Sequence, residues 1–220
     1  MEKDLAPELI DKILKEFREK TDKSKIIIEQ LEALKSKKVS HTNTYRFAQE
    51  LGKILRKTFE ENLQEGVLPN DTLYFNIASR LINSTFEKDY KLVTDYGAQV
   101  QEILNGIDKL SIKAQVPKIN QDRIDNLIDF LTDRDDLEEV RRALGRSTEN
   151  FTESIVDDLI KENLDFLNRV GVKKTVIRIA LPTCCEYCSQ LAGVYEYGSE
   201  PKDIWKRHTD CHCTIEVKKL

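Results

Sequence analysis

The chain has 220 residues, 40% of them hydrophobic and 34% charged, and a formal net charge of −4. That length allows one large domain or two small ones, and the slight acidic excess argues against a dedicated nucleic-acid binder, which is normally basic. No apolar run reaches the ~18 residues of a membrane span, and the charged start Met1-Glu2-Lys3-Asp4 leads into no signal-peptide pattern.

Only eight glycines and five prolines punctuate the chain, which favours long helices. The first helical region, 7–36, opens at Pro7 and repeats Leu9, Ile10, Ile13, Leu14 and Phe17 at three- and four-residue spacing. The pattern weakens from Thr21 to Ser24 and resumes at Ile26, so it reads as one helix or as two joined at a weak point. A second helix, 42–64, follows the cap-rich stretch Ser40 to Asn43 and carries Phe47, Leu51, Leu55 and Phe59 on one stripe. A third, 70–110, takes Asn70 as its N-cap; at ~1.5 Å per residue it makes a rod of roughly 55 Å. Beyond Pro117 come two shorter helices around 124–131 and 137–144, the second stopped by Gly145. A last helix, 150–168, opens at Asn150 with Glu153 completing a capping box, and Gly171 ends it.

The period then shifts from near four to two. Strands are expected over 175–180, 194–197 and 213–217, with a helical turn at 201–206. The fold class is therefore mainly α: an elongated helical body over 1–146, then a C-terminal region over 147–220. Within that region, 172–220 forms a small α+β tip of about three short strands. Trp205 is expected to anchor the core of this tip. His41 reads as a solvated or capping histidine. The basic groups Lys53, Arg56 and Lys57, Lys173 and Lys174, and Lys202, Lys206 and Arg207 read as solvated faces.

All five cysteines lie in the last 37 residues, as Cys184-Cys185-x-x-Cys188, nineteen further residues, then His208-x-x-Cys211-His212-Cys213. In the reducing cytoplasm expected for this chain, such clusters are metal ligands or redox thiols more often than disulfides. Zinc takes four N or S donors in a tetrahedron, and Cys185-x-x-Cys188 clasps one side of it from a single turn. The other side comes from His208 and Cys211, or from a set in which Cys213 replaces one of these two. Cys184 is a spare. A structural zinc would stabilise a tip too small for a well-insulated core of its own. A deaminase pattern is missing, because His41 is the only upstream histidine and is followed by Thr42 and Asn43. No catalytic residues and no small-molecule substrate are expected.

The stretch Cys185-Glu-Tyr-Cys188-Ser-Gln-Leu-Ala-Gly193-Val-Tyr, with the closing His208-Thr-Asp-Cys211-His-Cys213-Thr-Ile-Glu-Val, resembles the C-terminal signature of the phage Mu protein F-like family. These are minor head, or head morphogenesis, proteins of tailed bacteriophages. The resemblance covers roughly 148–217, and His212 stands where the family often has arginine. It implies a few-copy, non-enzymatic structural protein, located in the virion head and in the host cytoplasm during assembly. Its implied partners are the portal protein and the major capsid protein, with packaged DNA as a further contact. Cys185, Cys188, His208, Cys211 and Cys213 carry over as motif positions. Three residues follow Val217, so no appended effector domain is expected. The alternatives are a metal-dependent nuclease centred on His208 and His212, and a nucleic-acid-binding module using the zinc tip.

Overall fold

The computed structural model describes residues 4–219; the start Met1 to Lys3 and the terminal Leu220 lie outside the described residues. The chain is mainly helical and closes on a small three-stranded antiparallel sheet. The first apolar region is two helices, α1 (Ala6–Lys23) and α2 (Lys25–Lys35). They part at Ser24, whose backbone is extended and whose hydroxyl accepts from the Ile27 N–H at 3.4 Å. Ordering Ser24 as an N-cap exchanges a helical hydrogen bond for a side-chain one and lets the chain turn. Helix α3 (His41–Asn62) begins after Ser40, whose N–H donates to the Asn43 side chain at 2.8 Å.

Asn70 does not cap the next helix. It sits at φ 52° in a short 3₁₀ turn over Pro69–Asp71, a left-handed conformation that asparagine tolerates. Asp71 accepts from the Gly66 N–H at 2.6 Å and closes that turn. Helix α4 then runs from Phe75 to Ile107, 33 residues or roughly 50 Å. Helix α5 (Gln121–Thr132) follows, capped by the Asn120 side chain.

The expected helices 137–144 and 150–168 are one helix, α6 (Leu137–Arg169), so the line drawn at residue 146 falls inside it. Gly145 is no stop. A Cβ there would lie 2.9 Å from Cγ of Arg56, so glycine serves close approach between α6 and α3. Glu153 likewise completes no capping box, because it lies four turns into the helix. Helix α6 is the central element: α3, α4 and α5 all pack on it, and every residue from Phe151 to Asp157 is buried. Another close approach occurs at Gly97 of α4, where a Cβ would meet Leu159 Cδ2 at 2.4 Å.

One hydrophobic cluster joins Phe17 of α1, Leu55 of α3, Phe86 of α4, Ile128 of α5 and Val156 of α6, and it continues into the sheet through Val176 and Ile215. The tip therefore shares the core of the helices. Within the core, Asp89 of α4 is fully buried. Its Oδ2 accepts from the Thr152 hydroxyl at 2.6 Å, and its Oδ1 has no partner. Burial pushes this carboxyl up to about 7, against the lowering effect of the Thr152 hydrogen bond.

The sheet has the order β2-β1-β3, with β1 spanning Lys174–Ile179, β2 Gly193–Glu196 and β3 Thr214–Lys219. Val176 opposes Tyr195 on one side and Val217 on the other. The inward face of β1 is Lys174, Val176 and Arg178, while Ile179 on the other face is 44% exposed. Charged residues point inward because each finds partners there. Lys174, expected on a solvated face, is buried and paired with Asp108.

His41 is not solvated either. It is buried at the head of α3, its Nε2 3.1 Å from Gln101 Oε1 and its Nδ1 3.6 Å from Glu216 Oε2 of β3. Glu216 also accepts from the Thr42 N–H at 2.6 Å. Burial alone would raise the Glu216 carboxyl, but the nearby His41 imidazole and the hydrogen bonds from Thr42 outweigh it and hold it at about 2. Among the described residues, no helix is long and apolar enough to cross a membrane.

Candidate metal centre

The cysteines reach one place by two local devices. Strand β1 ends at Ile179, and the chain enters a six-residue helix, α7 (Glu186–Leu191), with Cys185 at its N-cap and Cys188 in its first turn. The second device is the tight turn before β3. Asp210 takes φ 58°, and the Cys211 N–H donates to the His208 carbonyl at 3.2 Å, which folds His208 back beside Cys211. Antiparallel pairing of β3 with β1 then holds Cys213, just ahead of β3, close to the end of β1.

The five motif residues come together around Cys188. Its Sγ lies 2.9 Å from His208 Nε2 and 3.5 Å from Cys211 Sγ, and Cys185 Sγ lies 3.1 Å from the same imidazole nitrogen. The donors form two triads, Cys185–Cys188–His208 and Cys188–Cys211–Cys213, in each of which all atoms lie within 4.8 Å of one another. Cys188 belongs to both. Cys184 and His212 belong to neither; Cys184 packs beside the sulfur cluster, and His212 Nδ1 is 2.6 Å from Glu153 Oε1. All five cysteines are free thiols.

This donor set can hold a metal. In a tetrahedral zinc site, bonds of ~2.3 Å to sulfur and ~2.0–2.1 Å to nitrogen separate neighbouring donors by roughly 3.5–3.8 Å. The observed distances lie at or somewhat below that range, so small side-chain rotations would admit an ion. Burial, followed by the neighbouring thiols of Cys213 and Cys211, pushes the Cys188 thiol well up, and burial raises Cys213. Cys185 goes the other way: backbone N–H groups at the start of α7, that of Cys188 first, lower its thiol. A cleft of about 380 Å³ opens onto the cluster, and Cys185 is its exposed member.

Two arginines lock the ligand loops to the helical core. Arg207, expected on a solvated face, is buried with its side chain 2% exposed. It is paired with both Asp157 and Glu153 of α6, and it also donates to the carbonyls of Cys211 at 3.0 Å and Cys213 at 2.8 Å. Tyr45 of α3 donates to the same Asp157. Arg178 of β1 donates to the carbonyls of Ile204 and Lys206 and lies 3.8 Å from Cys211 Sγ. Asn150 of α6 donates to the His208 carbonyl at 2.7 Å. Sequence reasoning missed this supporting shell. Its only trace was Glu153 and Asp157, two acids one turn apart on a helix otherwise rich in buried positions.

Trp205 is only half-buried. It stacks edge-on against Tyr197 with ring centres 6.3 Å apart, and the neighbouring Ile204 is the fully buried anchor. Of the other basic groups, Lys53, Lys57, Lys173, Lys202 and Lys206 are exposed, whereas Arg56 is half-buried between Glu60 and Glu149. Comparison of the chain with protein-family models, with curated proteins and with solved structures finds no match.

Proposed function

We propose that this chain is a minor head protein of a tailed bacteriophage, resembling the Mu protein F-like family, and that its Cys/His cluster is a structural zinc knot. The observation that carries the reading is the signature Cys185-x-x-Cys188 … His208-x-x-Cys211-x-Cys213, whose five residues converge on one sulfur. Cys188 with three of Cys185, His208, Cys211 and Cys213 would hold the ion. Four of these donors would hold zinc as a cross-link between α7 and the loop before β3. The rest of the centre supports the same role: Arg207 and Arg178 fix the loops, and long amphipathic helices offer faces suited to assembly.

The role assigned is non-catalytic. The protein would associate with the portal and the major capsid protein, inside the virion head and in host cytoplasm during assembly. It would aid procapsid formation, the handling of packaged DNA, or both. The test is a pull-down of the tagged chain from phage-infected cells, with elemental analysis of the same eluate. Portal or capsid protein together with one zinc per chain is the expected result. Portal protein without zinc removes the knot and keeps the role. Zinc without any head protein removes the role.

A further inference from the structure

A groove of about 530 Å³ runs between α5 and α6 and ends against the loop that carries His208. It is separate from the metal cluster, and neither its location nor its charge was visible in the sequence. Helical spacing builds both walls. Arg123, Asn126 and Phe130 recur at three- and four-residue steps on α5, and Asn150 of α6 follows Arg146 and Ser147 at four and three residues. The floor is apolar, made by Phe86 and Phe151, whose rings stack 4.3 Å apart. Among the described residues, no aspartate or glutamate lines it, although the chain as a whole has net charge −4.

The arginines are available for a ligand in different degrees. Arg207 also borders the groove, but Glu153 and Asp157 neutralise it. Arg146 is about half exposed and pairs only loosely with Asp210, at 3.9 Å. Arg123 has a buried Nη1 with no hydrogen-bond partner; Asp158 acts on it only through space. Two guanidinium groups lining opposite walls of one groove, neither held in a close ion pair, can grip a phosphate between them. Phe130 adds a ring that is 46% exposed, with the Arg134 guanidinium 3.4 Å from its centre. Exposed aromatic and arginine planes are the surfaces on which nucleobases stack.

We infer that this groove binds a nucleotide, its phosphate held by Arg123 and Arg146 and its base laid against Phe130. The nucleotide is either free or one unit of a single strand. The inference does not rest on the head-protein reading, since it concerns only the α5–α6 walls. It also differs from DNA contact through Arg207, whose charge is already engaged.

The test uses the full metal-loaded chain and fluorescence anisotropy with a labelled oligo-dT of about ten nucleotides. Arg123→Gln with Arg146→Gln should weaken binding by about tenfold or more. The slope of log K against log salt should fall by roughly 0.7, the share of one phosphate on a single strand. Arg146→Glu alone, at an exposed position that folding tolerates, should weaken binding similarly, and Lys57→Gln should leave it unchanged. Competition by dTMP at matching concentration assigns the groove to a free nucleotide. Competition only by longer oligonucleotides assigns it to a strand. Absence of binding, binding indifferent to Arg146→Glu, or equal displacement by an oligoglutamate peptide would each overturn the inference.

Discussion

Asp89 offers a quantitative test of the core. Its carboxyl is fully buried, has one hydrogen bond from Thr152 and titrates near 7, whereas in the unfolded chain it returns to 3.8. The folded state therefore keeps a proton that the unfolded state releases between about pH 4 and pH 7. Stability from this group is fully present below about pH 4, falls as pH rises, and levels off above about 7. At ~1.4 kcal/mol per pH unit, the loss across that window is on the order of 4 kcal/mol. Asp89→Asn removes the titration and keeps an oxygen for the Thr152 hydroxyl. Urea unfolding of both proteins at several pH values from 4.5 to 8.5 isolates the effect, because other groups cancel in the difference. The wild type should lose stability steadily relative to the variant up to about pH 7. Parallel curves across the whole range would show that the buried carboxylate is solvated or paired in a way the structure does not contain.

Four further outcomes follow from the packing and the centre. Cys188→Ser should abolish stoichiometric zinc binding, because Cys188 belongs to both triads, while Cys184→Ser should retain it; elemental analysis after dialysis separates the two. Arg207→Met leaves Asp157 buried without its cation and Glu153 with His212 alone, and should cost roughly 3–5 kcal/mol in urea unfolding near pH 7.5; a loss under about 1 kcal/mol would contradict the reading. Gly97→Ala should destabilise by about 1–3 kcal/mol, since its Cβ would strike Leu159. Gly106→Ala, with nothing within 4 Å in the last turn of α4, should instead stabilise by roughly 0.5–1 kcal/mol.

Much of the fold was legible because its signals are local. The stripes of α1, α3 and α5 and the alternation of β1 and β3 are readable within ten or twenty residues. The clustering of the cysteines and His208 was also legible, because short spacings encode one turn of chain. What escaped depends on distant partners. Gly145 looks like a helix stop until Arg56, from another helix, is seen lying against it. Arg207 looks like a surface cation until Asp157, 50 residues earlier, is placed beside it. Lys174 and Arg178 look outward-facing by composition, yet carbonyls and Asp108 draw them inward. Asn70 failed as a cap for a local reason, since the same residue type that caps helices also tolerates the left-handed turn it occupies.

The contact between His41, Thr42 and Glu216 has a consequence for how the protein is made. Thr42 and Glu216 are 174 residues apart in the chain and meet through a hydrogen bond. At roughly 5–20 residues per second, a ribosome needs on the order of 10–30 s to go from one to the other. Throughout that interval the head of α3 lacks its carboxylate partner, and the region around His41 stays accessible. Docking of β3 onto α3 is thus a post-emergence event that joins an early-made segment to a late-made one. Proteases or chaperones present during synthesis would encounter α3 with its first turn still open.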